Sequence, residues 1–482
     1  MKRLLRITGG LLGLLALAAL AVALALTFGG LRRDVKPVSQ AFQSPIETPT
    51  QPAYPPPATP IPQPTPLPTS TRPPEPPTRT PTPTFTPAPP TPTPEPLPTL
   101  ISGLQTFLYA TTGERWPEIY RVQLDPATNI IASPAYRVNT TELWHSRVYV
   151  EGLHPSPDGR RVAVSWVYGE GGTFVSILNA NDGTFIPLFG ETAPIDQRVE
   201  FLDWSPDGNK VLALGRMTNP DLGGRAWLVD VNTHEYKELA IEQINDPQQL
   251  TDASFSPDGQ AIAYALSNCY RCGSEIWSIS LDGAEQKLLY KEPDWRVENV
   301  RWSPEGTLVA FTRWRESEVQ EFTIGETHTI FAVGESWVMD PQGDARHLLS
   351  PVITGYYKRF TPVWSPDGRS IAFILGEESQ SGRQANEPSF NVYIADVSTG
   401  EVRQLTHFQN TQVLEPIFSP DGSMVAFVAT LSGVPEQFEP WLVAADGRGL
   451  RRFDERGTLI LNTRAATPAI AWLPEFFPGG ER

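Results

Sequence analysis

Apolar and polar residues alternate along much of this chain in short runs, and the runs repeat. "TPVWSPDGRSIAFIL", residues 361 to 375, is one example: an aromatic-ended run, four turn-forming residues, then an apolar run. Bounded runs of this length, rich in aromatic and branched residues, read as β-strands. Proline presets φ for the second position of a tight turn, aspartate bonds back to the local backbone, and glycine takes the positive φ of the hairpin exit. Each phrase therefore predicts one β-hairpin.

Ser-Pro-Asp-Gly, or its Glu variant, begins at Ser156, Ser205, Ser256, Ser303, Ser365 and Ser419, and aromatics stand before five of the six, at Trp204, Phe255, Trp302, Trp364 and Phe418. Seven residues after the serine comes Ala163, Ala263, Ala310, Ala372 or Ala426, with Leu212 in the remaining copy; a small residue there lets neighbouring sheets approach closely. A further strand carries an aromatic at Phe174, Trp227, Trp277, Trp337, Tyr393 and Trp441, and a turn such as Asp182-Gly183, Asp282-Gly283 or Asp446-Gly447 leads into a fourth strand. An earlier copy, "LQTFLYATTGERWPEIYRVQLDP", puts Tyr120 in the aromatic slot but has no first strand in front of it. The stretch "TPAIAWLPE", Thr467 to Glu475, resembles a first strand with nothing behind it. The two fragments complement each other. Closing the first sheet with the C-terminal strand removes exposed edges, which is the propeller solution to that problem. The expected fold is all-β: a seven-bladed β-propeller over residues 101–482, closed by the C-terminal strand.

Two unlike segments precede it. Residues 1–33 hold an uncharged run from Ile7 to Leu31 between Lys2, Arg3, Arg6 and Arg32, Arg33. That run exceeds the roughly 20 residues needed to cross a bilayer and the apolar region of a cleaved signal, so a signal anchor, one transmembrane helix, is expected. Cleavage near Ala21 to Ala25 is the alternative. Residues 34–100 hold half of the 50 prolines and cannot bury a core; they read as a disordered, extended Pro/Thr-rich stalk. The expected location is the cell membrane, single-pass, with the propeller on the extracytoplasmic side.

The "WSPDG…IAF…IY" pattern resembles the TolB-type, WD40-like (PD40) propeller repeat, which also occurs in the propeller portions of prolyl-oligopeptidase-type peptidases. The resemblance spans nearly all of residues 101–482 and implies the fold. It does not carry partners, since TolB has six blades and a different N-terminal domain.

Charge narrows the ligands. The first 100 residues carry eight basic and four acidic side chains, so the overall −16 leaves −20 for the remainder. So acidic a domain repels phosphate backbones, which excludes nucleic acid and favours cationic, glycan or protein ligands. Cys269 and Cys272, in "SNCYRCGSE", are expected to form a short disulfide in an oxidising compartment.

The repeated turn aspartates read as turn formers rather than calcium ligands, being too dispersed to share an ion. Function is expected on the opposite rim, where the connections are long and unlike one another. The longest insert, Trp314 to Ser336 in the fifth unit, predicts an extra hairpin. Aromatic and basic residues gather in these connections at Arg115 and Trp116, Trp144 and His145, Trp295 and Arg296, Tyr356 and Tyr357, and His407 and Phe408. Such pairs suit interfaces and sugar sites.

Neither Gly-x-Ser-x-Gly, His-Glu-x-x-His nor a phosphate-binding loop occurs, and no catalytic residue or cofactor is expected. The expectation is a non-catalytic recognition module for an envelope protein or glycan, tethered to the membrane. The alternative is a metal-dependent polysaccharide lyase or hydrolase-type enzyme with its site on the same rim. Resemblance to TolB-like oligogalacturonide lyases implies histidine-held metal for it, which here would draw on His145, His154 and His407.

Overall fold

Hydrogen bonds inside the Ser-Pro-Asp-Gly turn explain why the phrase recurs. In the computed structural model Ser156 Oγ donates to Asp158 Oδ1 at 2.6 Å and accepts from the Arg161 N–H at 3.0 Å, while the Arg160 N–H reaches the same carboxylate at 3.0 Å. The serine to aspartate bond returns at Ser205, Ser256, Ser365 and Ser419. The carboxylates are thus consumed in shaping the turn.

The structure describes residues 100–474 except 113–116, 129–130, 139–147, 169–171, 190–197, 217–223, 240, 242–248, 270–271, 316–318, 325–326, 344–345, 355–361, 378–388, 410, 432–433, 453–460 and 463–468. The expected anchor and nearly all of the expected stalk lie outside the described residues. Among the described residues no helix is long and apolar enough to cross a membrane.

Those residues form an all-β arrangement of antiparallel sheets, a β-propeller architecture. Six hydrogen-bonded sheets hold the strands, and one of eight strands resolves into two four-stranded groups joined by a single parallel bridge, Thr173 to Arg198. Strands within a group follow chain order, except in the first sheet and in the fifth unit, where Val309–Trp314 pairs with Thr327–Met339 and not with the intervening Val319–Ile324. The first sheet runs Tyr136–Arg137, Pro117–Leu124, Gln105–Thr112 and then Ile470–Leu473. Leu473, Trp472, Ala471 and Ile470 pair with Thr106, Phe107, Leu108 and Tyr109, so the orphan C-terminal strand completes the orphan N-terminal sheet as its pattern predicts.

Apolar packing also closes on itself. Buried clusters join each four-stranded group to its neighbour, and the largest joins the last two sheets to the first through Phe107, Tyr109, Ile470 and Trp472. The small residues after each turn, Ala163, Ala263, Ala310, Ala372 and Ala426, are all buried within these clusters. Tryptophans before the turns tie neighbours together by a second device: Trp204 Nε1 donates to the His154 carbonyl at 2.8 Å, and Trp364 Nε1 to that of Arg301 at 3.3 Å.

The turns seat on one another as well. A side chain at Gly259, Gly306 or Gly422 would meet Pro206, Pro257 or Pro366 of the preceding turn, and one at Gly159 would meet the carbonyl of Pro474 at the end of the closing strand. In the fifth unit the expected extra hairpin is present: Val319–Ile324 pairs with the first half of the long strand Thr327–Met339.

Candidate functional site

Two polar constellations stand out among the described residues, one including Glu298 and Arg301 of the strand Arg296–Trp302 and one around Trp295 just before it. The first lies among the first strands of neighbouring units. These strands carry β-bulges that the sequence does not announce, between Val150 and Gly152, Phe201 and Asp203, Leu250 and Asp252, Glu298 and Arg301, and Leu414 and Ile417. A bulge re-aims the side chains beside it. Asn299 and Glu415 take positive φ, 58° and 54°, at the two widest of them.

Arg301 Nη1 contacts Asp252 Oδ2 at 2.8 Å, and Asp203 on the next strand over accepts the backbone N–H of Trp204 and of Phe255, each at 2.9 Å. Burial pushes the Asp203 carboxyl above its usual range, opposed by Arg301. Burial pulls Arg301 down, and Asp252 and Asp203 more than restore it. Burial also raises Glu298, against the pull of Arg296, whose Nε lies 3.1 Å from Glu298 Oε1. Arg301 keeps 28% of its side chain accessible while Asp252 is almost wholly covered.

The second constellation is at the other end of the same unit. Arg313 lies 4.1 Å from the ring centre of Trp295 and 4.3 Å from that of Trp337. Its Nε donates to Glu335 Oε2 and its Nη1 to the Tyr290 hydroxyl, both at 2.8 Å, and Trp337 Nε1 donates to the same Glu335 oxygen at 2.9 Å. Arg315, two residues on and exposed, stacks on Trp295 at 4.1 Å as well. Arg296 sits 5.4 Å from Trp314. The strand Val309–Trp314 accounts for this arrangement: alternation puts Arg313 and Arg315 on one side and Trp314 on the other.

The structure therefore brings Trp295 and Arg296 into one cluster, and Trp295 is buried beneath guanidinium groups instead of standing exposed. Phe408 packs edge-on against Phe427 and Trp441 at 6.0 and 5.2 Å and lies half-buried against the apolar core, while its neighbour His407 is exposed. Arg115, Trp116, Trp144, His145, Tyr356 and Tyr357 lie outside the described residues. His154 stacks on Phe201 at 4.2 Å with Nε2 3.2 Å from Ser165 Oγ, and among the described residues no group of three His, Cys, Asp or Glu could hold a metal. Cys269 and Cys272 are backbone partners at the end of their hairpin. Sequence reasoning missed Arg301, Asp203, Asp252, Arg313 and Arg315. The alternating "TRWRE" of residues 312–316 was a readable signal for the last two.

With this geometry in place, the comparisons with known proteins are consistent with a propeller fold. Residues 205–329 match the family described as the dipeptidyl peptidase IV N-terminal region. The chain is 23% identical over 237 residues to the uncharacterized peptidase YuxL of Bacillus subtilis, covering 42% of this chain and 33% of the relative. It is 34% identical over 135 residues to the probable dipeptidyl-aminopeptidase B of Aspergillus oryzae, covering 25% of this chain and 15% of the relative. Among solved structures it is similar to TolB from Acinetobacter baumannii, with a TM-score of 0.40 and 17% identity over 76% of this chain and 82% of that one. The chain thus spans a third or less of the length of these curated relatives. The expectation of a non-enzyme is overturned, since both relatives are named as peptidases.

Proposed function

We propose that this chain is the substrate-selecting β-propeller of a peptidase-type hydrolase, built of seven blades and held outside the cytoplasm by its N-terminal anchor and stalk. One observation carries the reading. The family match at 205–329 falls on the units that contain Asp252, Arg301, Glu298, Trp295, Arg313 and Arg315, most of both polar constellations. The enzyme class of the expected alternative is thereby favoured, as a peptidase in place of a metal-dependent polysaccharide-acting enzyme, and among the described residues no group of three His, Cys, Asp or Glu could hold a metal.

A propeller suits such a role because its rim and interior can screen extended chains by charge and width before they reach a reacting group. The carboxylates and arginines deep in the first strands offer hydrogen-bonding groups of both signs to a peptide, and the surplus of acid favours peptides with free amino groups or basic side chains. The proposal assigns selection to the propeller and no nucleophile to any residue.

The test uses the full chain in detergent and a mixture of short peptides, with cleavage followed by mass spectrometry and binding by fluorescence anisotropy. Cleavage, or saturable binding that Arg301→Met weakens, is the expected result. A well-folded preparation that neither binds nor cleaves peptides would overturn the reading.

A further inference from the structure

The outer edge of a sheet presents unpaired N–H and C=O groups that template association, and shortness, lysine or proline blunts it. Among the described residues, five of the outermost strands have only two or three residues: Tyr136–Arg137, Phe185–Pro187, Tyr236–Glu238, Val402–Gln404 and Arg451–Arg452. The long ones carry guards, Lys287 and Lys291 in Gln286–Glu292 and Pro351 in Arg346–Thr354. Val319–Ile324, the first strand of the extra hairpin in the fifth unit, has six residues and neither lysine nor proline. Among the described residues it pairs only with Thr327–Ala332, so its other edge is open.

Register fixes where that edge lies. Ala332 is paired with Thr354 across one edge of its strand and with Val319 across the other, which puts Val319–Ile324 on the same side of Thr327–Met339 as Val309–Trp314. The hairpin continues past the ends of its neighbours, since Val309–Trp314 pairs no further than Glu335 and Arg346–Thr354 no further than Ala332. Arg296–Trp302 occupies the corresponding edge of Val309–Trp314. A strand added to Val319–Ile324 would therefore fall in line with Arg296–Trp302, beyond Arg296. Alternate residues of an edge strand turn both backbone groups outward, so about three residues of this one are open to a partner. A two-stranded ribbon is marginal in water, and a third strand gives it a stable sheet.

Charge selects the partner. Residues 316–334 hold Glu316, Glu318, Glu321 and Glu326 and neither lysine nor arginine. On the strands below, Arg296 and Arg313 are already paired with Glu298 and Glu335. Two such ribbons repel each other, which disfavours a second copy of this chain, and the proline-rich residues 34–100 lack the N–H groups a strand must donate. We propose that the open edge of Val319–Ile324 is a docking edge for an extended basic peptide segment, which joins the sheet as a third strand. Backbone hydrogen bonds hold the segment, and the ribbon's glutamates favour basic sequences over acidic ones. The edge serves this role whether or not the chain cleaves peptides.

The probe is a rhodamine-labelled Lys-Val-Thr-Val-Lys-Val-Thr peptide, titrated by fluorescence anisotropy against the full chain in detergent at low salt. One copy is N-methylated at three consecutive residues, which blocks both of its own edges, and another has Glu in place of Lys. Each copy is expected to bind at least about tenfold more weakly than the parent peptide, because every backbone hydrogen bond lost costs severalfold in affinity. Replacing residues 316–334 with a short Gly-Ser linker should weaken binding of the parent peptide by a similar factor. Phe322→Pro and Thr323→Pro, made separately, keep the ribbon: alternation puts one of these two N–H groups on the open edge, and that variant should melt with the parent protein yet lose the peptide. Absence of saturable binding, undiminished binding by the linker variant or by both proline variants, or equal affinity for the methylated or the acidic copy would overturn the docking edge. So would a dimer of the full chain that the linker variant abolishes, since the edge would then belong to a second copy. Peptide cleavage with binding indifferent to the ribbon leaves the peptidase reading standing alone, and ribbon-dependent binding without cleavage does the reverse.

Discussion

Replacing Gly159 with alanine tests the closure on which the architecture depends. Gly159 has φ of 66°, and a side chain there would overlap the carbonyl oxygen of Pro474, a backbone atom that cannot swing away. Gly283 is the matched control, with φ of 83° and open space around the added carbon. Gly283→Ala should cost only the left-handed backbone penalty, about 1 kcal/mol. Gly159→Ala carries that penalty and must also push back the closing strand, whose residues Ile470 to Leu473 are all buried; forced repacking of this kind costs about 1–3 kcal/mol more. At about 2 cal/mol/K per residue, a domain of this size has an unfolding entropy of about 0.8 kcal/mol/K, so 3 kcal/mol lowers the midpoint by about 4 °C and 1 kcal/mol by about 1 °C. Thermal unfolding followed by tryptophan fluorescence separates the two. Equal melting of Gly159→Ala and Gly283→Ala would refute a tight contact between the first turn and the end of the chain.

Arg301→Met should destabilise the protein by about 3–5 kcal/mol in urea unfolding, because Asp203 and Asp252 lose the charge that compensates them; adding Asp203→Asn should recover part of the loss, and a neutral Arg301→Met would contradict the network. Acid titration should show two opposite contributions. Asp258 and Asp367 are held below the usual range first by the Ser256 and Ser365 hydroxyls, and Asp396, bonded first by Ser398, is held down to about 2. Their contribution is present above the ordinary carboxylate range and is lost as pH falls through the depressed values. Asp203, raised by burial, acts with the opposite sign: its contribution is complete below that range and is lost as pH rises through its elevated value, so Asp203→Asn should flatten that limb. Cys269 and Cys272, paired across the hairpin backbone, should take up alkylating reagent only after reduction; full labelling of the untreated protein would rule out the disulfide.

Much of the fold was legible because its determinants are local. A Ser-Pro-Asp-Gly turn is written in four consecutive residues, and the orphan strands at the two ends declared each other by what they lacked. The inner network was not legible, because it depends on bulges in strands that offer no sequence mark. Thr251, at the register shift of its strand, occupies what regular alternation would assign to its neighbour, and only the shift sets Asp252 opposite Ala265. Pairing between Arg301 and Asp252 joins residues 49 positions apart on adjacent units, a proximity that no spacing rule supplies. The rim was half legible. Trp295 and Arg296 do belong to one cluster, but an aromatic residue in a connection gives no sign of its burial, which here comes from guanidiniums on another strand. Phe408 shows the same ambiguity, half-buried against the apolar cluster of the last two sheets.

The contrast between the two ends of each unit has a physical origin. At the turn end, glycine of one turn rests on proline of the turn before it, as Gly259 does on Pro206 and Gly306 on Pro257. A ring assembled from such contacts needs interchangeable parts, since a change in one turn is felt by the next. Repetition in the sequence is the consequence of that mutual seating. At the opposite end of the fifth unit, the hairpin Val319–Ile324 with Thr327–Ala332 extends its own sheet and leaves the neighbouring registers intact. Each sheet thus commits one end to closing the ring and leaves the other free to diverge. The Arg313 and Arg315 stack on Trp295 belongs to the divergent end.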